Sequence, residues 1–352
     1  MTVLIALDQG TTSTRTVAFD KDLNIMHSEQ KEYPLLYPKD GWVEIEPNEL
    51  MGSVYATIDP VIDVCADIVA MGITNQRETT VIWDTDSGQP IYNAIVWQDR
   101  RTVNKCMQLK QAGYEDVIRS KTGLLLDPYF SSTKISWILD NVDGARAKAE
   151  AGRLRFGTID TYLLWQLSKG EIFKTDVTNA SRTNLYNIHS RKWDDELLEI
   201  FNIPASMLPE VHSSDSNFGK FVRGNKEIQI TGVIGDQQSA LVGQRCFQPG
   251  QMKATFGTGC FLMVNTGNES LQSTSGLLNT LGYGLSGEIS YALEGSIFSA
   301  GKIIQWLRDN MEFFSNSQES IKFLDATGKS NDVLFVPGFT GIGAPHWNSE
   351  IR

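Results

Sequence analysis

The sequence predicts an α/β protein of two domains, and three observations predict it. Short β-branched and aliphatic runs alternate with segments whose apolar residues recur at three and four spacings, the pattern of strands interleaved with amphipathic helices. A strand, a Gly/Thr bend and a second strand open the chain at VLIAL, GTTST and TVAFD, and the same design returns at MKATFGTGCFLMVN (252–265). The length of 352 residues also exceeds the ~100–200 typical of one domain.

Taken in order, VLIAL is a strand ended by Asp8, and TVAFD resumes the alternation after the bend. A helix follows over 49–58, then IVAMGITN (68–75) reads as a buried strand. Helical spacing recurs over 101–112, 133–141, 160–167 and 194–201. A second cluster of strands begins near residue 228 with EIQITGVIGDQQ. Pro and Gly in CFQPGQ (246–251) mark a domain boundary, giving units 1–245 and 246–352. Past the second hairpin, 296–314 reads as a long amphipathic helix and VLFVPGF (333–339) as one more buried strand. The second unit is much the shorter, so an incomplete second domain is expected.

Composition excludes several classes. With 31 basic and 42 acidic side chains the net charge is −11, and no Lys/Arg block offsets it, so nucleic acid is not expected as a partner. Cys65, Cys106, Cys246 and Cys260 form no CxxC pair, which argues against a zinc site or a disulfide framework and for reduced thiols in the cytoplasm. No basic leader precedes the first apolar run, and no run approaches the ~18 residues of a membrane span. Four scattered histidines read as structural or solvated.

The chemistry concentrates in a few segments. In DQGTTSTR (8–15), Gly10 permits close approach of an anion, Thr11, Thr12 and Ser13 offer hydroxyls, and Arg15 can pair with phosphate. Asp8 at the strand end suits a hydrated Mg²⁺. An ordinary hairpin turn would read similarly, but FGTG (256–259) repeats the arrangement. GxxxxGK[ST] is absent: five residues separate Gly295 from Gly301, and Ile303 follows Lys302. Any nucleotide therefore binds between the paired hairpins. ITNQRETT (73–80) presents Arg77 and Glu78 either to a polyhydroxylated ligand or as a salt-bridged turn. Trp97 and Tyr129 are ligand walls or core. Asp236 in IGDQQSA stands at a strand's carboxyl end, as a helix cap or as a proton acceptor for a hydroxyl attacking phosphate.

Together these segments resemble the FGGY carbohydrate-kinase family of the actin/hexokinase-like superfamily, and within it the members that phosphorylate glycerol. The resemblance runs through ALDQGTTSTR, GWVE, GITNQRET, YNAIVWQDRR, DPYFS, GTIDTYLLW, TNASRTNLYNI, GDQQSAL, FGTGCF, ALEGSIF, IQWLRD and GFTGIGAPHW, which is essentially the whole chain. It implies a two-domain, ribonuclease H-like kinase fold and transfer of the ATP γ-phosphoryl group to glycerol. It further implies a glycerol pocket of Arg77, Glu78, Trp97, Tyr129, Asp236, Gln237 and Phe261, with Asp236 as general base and Asp8 near Mg²⁺. Thr11, Thr12, Ser13, Arg15, Gly257 and Thr258 would hold the nucleotide phosphates, and Gly301 and Gln305 would approach the nucleoside. Glycerol and ATP are thus the expected partners, with a homo-oligomer possible. Family members continue past the point matching Arg352 to finish the adenine pocket. A kinase for another small polyol or sugar is the neighbouring reading, and a non-catalytic polyol-binding fragment belongs to a different class.

Overall fold

The computed structural model describes residues 2–257, 259–327, 334–339, 341–348 and 351. Its larger sheet has six strands in the spatial order Gly219–Arg223, Lys226–Gly235, Asp67–Asn75, Thr2–Gln9, Ser13–Phe19 and Ile25–Glu32. The central strands Lys226–Gly235, Asp67–Asn75 and Thr2–Gln9 run parallel, and the flanking pairs are antiparallel. Register sets Asp8 opposite Thr74, and Thr74 opposite Ile234. The residues that leave these strands, Asp8, Arg77 with Glu78, and Asp236, therefore emerge at one carboxyl edge, where α/β sheets gather their sites.

A helix over Pro47–Val64 begins where Glu46 accepts from the Asn48 and Glu49 amides, with Pro47 in its first turn. Leu50, Val54, Ile58 and Val61 form its fully buried stripe. They join Val3, Ile5 and Leu7 of the first strand, and Leu163 and Leu164 of the helix Ile159–Leu167, in one core.

The second sheet is antiparallel throughout, in the order Met252–Phe256, Cys260–Gly267, Glu288–Ile297 and Leu278–Leu285. The helix Asp236–Gly243 packs against three of its strands and so ties it to the first unit. All four cysteines are buried free thiols. Among the described residues no helix is long and apolar enough to cross a membrane.

The structure corrects three sequence expectations. The strand near residue 228 belongs to the six-stranded sheet, because Ile230–Gly235 pairs in parallel with Met71–Asn75. The helix expected over 296–314 is confined to Gly301–Asp309, since Ser296 and Ile297 pair with Phe261 and Cys260 in the second sheet. Residues 334–339 form no strand, and Leu334, Phe335 and Val336 are exposed, the first by 94%. Among the described residues no strand pairs with this apolar run, and residue 333 lies outside them.

Candidate active site

Between the sheets lies a cleft of about 360 Å³, lined by Thr11, Thr12, Arg77, Glu78, Trp97, Tyr129, Asp236, Gln237, Gly257, Phe261 and Gln305, among others. The seven side chains expected on the acceptor side thus meet in one cavity with Thr11 and Thr12 of the first bend and Gly257 and Gly259 of the second. Trp97 stands edge-on to both Tyr129 and Phe261, with ring centroids 5.6 and 6.0 Å away, and its indole N–H donates to Thr11 Oγ1 at 2.9 Å. Three apolar faces therefore wall a small polar floor, a composition suited to a short polyol.

The floor carries an unusual concentration of charge. Arg77 donates in parallel to Glu294, through Nη1 at 2.6 Å and Nη2 at 3.0 Å. Arg182 donates through Nε to Glu78 at 2.6 Å and through Nη2 to Glu294 at 2.9 Å. All four side chains are at most 2% exposed. Burial opposes ionisation of Glu294, but Arg182 and Arg77 hold its carboxyl far below the usual range. For Glu78 burial prevails and the pKa is raised, with Arg77 and Arg182 opposing. Among the described residues Arg182 Nη1 has no hydrogen-bond acceptor. Its guanidinium instead lies over the rings of Phe130 and Tyr129.

Glu78 itself has φ +61°, and the Thr79 amide donates back to the Arg77 carbonyl at 2.7 Å. A non-glycine residue in such a tight left-handed turn is strained, and the strain is held by the buried ion pairs around it. The turn carries Arg77 and Glu78 into the cleft side by side.

Asp236 is the first residue of its helix, with Gly235 as the cap. Its Oδ1 accepts from the Gln237 amide at 2.7 Å and lies 3.4 Å from Arg77 Nε, while about a third of the side chain stays open to the cleft. Burial raises its pKa, and Arg77 restrains the rise. Asp8, exposed near the end of its strand, is raised to about 6, first by lost hydration and then by the Asp236 carboxylate, with Arg15 opposing. A carboxylate raised by a second carboxylate nearby gives an oxygen donor pair of the kind that fits a divalent cation.

Not every expected residue lines the cavity. Ser13 and Arg15 face the outer strand, where Gln30 Nε2 donates to Ser13 Oγ at 3.3 Å and Arg15 Nε donates to Ser28 Oγ at 3.1 Å. Asp8 does not line the cavity either, though the Asp236 carboxylate is near enough to raise its pKa. Gly301 meets the second bend directly: its amide donates to the Gly257 carbonyl at 2.9 Å, and a Cβ there would come within 2.6 Å of that oxygen. Thr258 lies outside the described residues. The sequence reading missed Arg182, Glu294 and Lys253. The available signal was a charged residue inside an otherwise apolar or alternating strand, as in YALEGSIF and MKATF.

Comparison with known proteins places these features in context. The FGGY family of carbohydrate kinases matches with its N-terminal domain over residues 3–243 and with its C-terminal domain over 252–352. The chain is 53% identical to a glycerol kinase of Bacillus velezensis over 100% of its own length and 72% of that protein's. It is 50% identical to a glycerol kinase of Xanthomonas campestris pv. campestris over 99% and 71%. The Plasmodium falciparum glycerol kinase solved with ADP superposes with a TM-score of 0.90 at 40% identity, covering 99% of this chain and 71% of that one.

Proposed function

This chain belongs to the FGGY family of carbohydrate kinases, and from that membership we propose that it transfers the γ-phosphoryl group of ATP to a primary hydroxyl of glycerol. One observation carries the reading. A carboxylate at a strand's carboxyl end, Asp236, opens into a cavity whose acceptor side is Arg77, Glu78, Trp97, Tyr129, Gln237 and Phe261 and whose other side is the two Gly/Thr bends.

In this reading the glycerol carbons lie against Trp97, Tyr129 and Phe261. The hydroxyls meet Arg77, Glu78 and Gln237, whose own partners fix them in advance. The reacting hydroxyl loses its proton to Asp236 as its oxygen bonds to the γ-phosphorus and the bond to the departing ADP oxygen breaks. The raised pKa of Asp236 makes it a better acceptor than a free carboxylate. Thr11, Thr12 and Gly257 hold the phosphates, and Gly301 and Gln305 face the nucleoside. Asp8 would hold Mg²⁺, which supplies charge neutralisation for the phosphates when bound.

ATP-dependent phosphorylation of glycerol by the 352-residue chain, beside a panel of tetritols and pentuloses, tests the substrate. Asp236→Asn lowers kcat by ~10²–10⁴ while glycerol binding persists. Near-parental turnover in that variant would refute Asp236 as the base.

A further inference from the structure

Lys253 lies on the strand Met252–Phe256 that leads into the second bend, and it is only 4% exposed. Its ammonium donates to Gln237 Oε1, to Thr255 Oγ1 at 3.0 Å and to the Phe261 carbonyl at 3.3 Å. Gln237 in turn donates to Asp236 twice, from its backbone amide to Oδ1 at 2.7 Å and from Nε2 to Oδ2 at 3.2 Å. An ammonium has donors and no acceptor, so it can face only the oxygen of the Gln237 amide. That choice leaves the amide N–H₂ no orientation but toward Asp236.

We propose that Lys253 is a positioning residue that acts through Gln237 on Asp236, coupling the second hairpin to the proton acceptor in the first unit. Without the cation the Gln237 amide is free to rotate and turn its oxygen toward the carboxylate, where lone pairs repel. The acceptor then loses one of its two donors and its fixed aim at the hydroxyl. Burial lowers the lysine pKa to about 8, against Glu294 and Asp236, so the side chain is still mostly charged at neutral pH. The inference rests on Asp236 as the base, yet it reaches a residue to which neither the sequence motifs nor the cavity lining assigns a role.

The test is a double-mutant cycle on purified full chain, measuring ATP-dependent glycerol phosphorylation. Lys253→Met lowers kcat about 10- to 100-fold, the cost of a misaimed reacting group, with a smaller change in KM for glycerol. Lys253→Arg, which keeps donor and charge, recovers most of the loss. Lys253→Met combined with Gln237→Ala is no slower than Gln237→Ala alone, because the relay is already cut. Losses that multiply, or an effect confined to KM, overturn the proposal. If the methionine variant is unstable, Lys253→Gln takes its place, keeping a donor and losing the charge. The two readings fail differently. Persistent turnover in Asp236→Asn removes the base, whereas full turnover in Lys253→Met with a collapsed Asp236→Asn removes only the relay.

Discussion

The bend after Thr2–Gln9 is gripped by the first unit, whereas the bend after Met252–Phe256 stands out from the second. Gly10's carbonyl accepts from Gln9 Nε2 at 2.7 Å, from Gln76 Nε2 at 3.0 Å and from the Tyr33 hydroxyl, and Gln9 is fully buried. At the other bend Phe256 is 80% exposed, and Gly257 reaches across to Gly301 at the start of a helix none of whose nine residues is buried. Two loops of like sequence therefore have unlike support. The wall of the cleft at the first bend is built on a packed sheet edge, and the wall at the second bend hangs on a surface. Charge joins them as well as packing: Glu294 and Lys253, both from the second sheet, reach into the first unit's floor, beside an apolar cluster that includes Leu241 and Met263.

The sharpest way to break this comparison is to remove the joining carboxylate. Glu294→Gln leaves two buried guanidinium groups with Glu78 beside Arg182 and Glu78 and Asp236 beside Arg77, and should cost about 3–5 kcal/mol in urea denaturation. A loss below ~1 kcal/mol would show that the two units are held by packing alone. Next in size is the first unit's core: Leu163→Ala, at a fully buried position, should cost about 2–5 kcal/mol. Phe313→Ser, 57% exposed beyond the second unit's helix, should stay within ~0.5 kcal/mol by the same assay.

Asp160 supplies an effect between these two. It is fully buried, accepts from Thr158 and Thr175 hydroxyls at 2.6 Å, and is raised to about 7 by burial and then by neighbouring Asp176. The folded chain therefore keeps its proton to about pH 7, while the unfolded chain releases it near 3.8. Between those values the native state binds more protons, so stability falls as pH rises. Asp160→Asn should flatten that slope by on the order of 2 kcal/mol across the window, read from denaturation midpoints at pH 4 and pH 8. An unchanged slope would mean that Asp160 is ionised in its buried site.

The sequence revealed the parts of the site whose reasons are local. VLIAL and IVAMGITN alternate as strands do, and the carboxyl ends of such strands are where Arg77, Glu78 and Asp236 were sought and where they lie. It did not reveal Glu294, Arg182 or Lys253. Each is a lone charge within its segment, and what makes it matter is a partner 112 or 217 residues away for the arginines, and 16 for the lysine. Spacing rules register neighbours along a chain, not charges that meet only when two sheets dock. The overlong helix has a different cause. Ile303, Ile304, Trp306 and Leu307 carry a true helical rhythm, but the residues before Gly301 are claimed by pairing with Cys260 and Phe261. The run at 334–336 shows that apolar character alone does not bury a segment.

The ionic floor of the cleft also bears on the order in which the polypeptide is made. Arg182 leaves the ribosome 112 residues ahead of the carboxylate that neutralises it, and Arg77 leads by 217. A growing chain that has not reached Glu294 has Glu78 alone for Arg182, and Glu78 with Asp236 for Arg77, so enclosing both cations is costly until translation delivers Glu294.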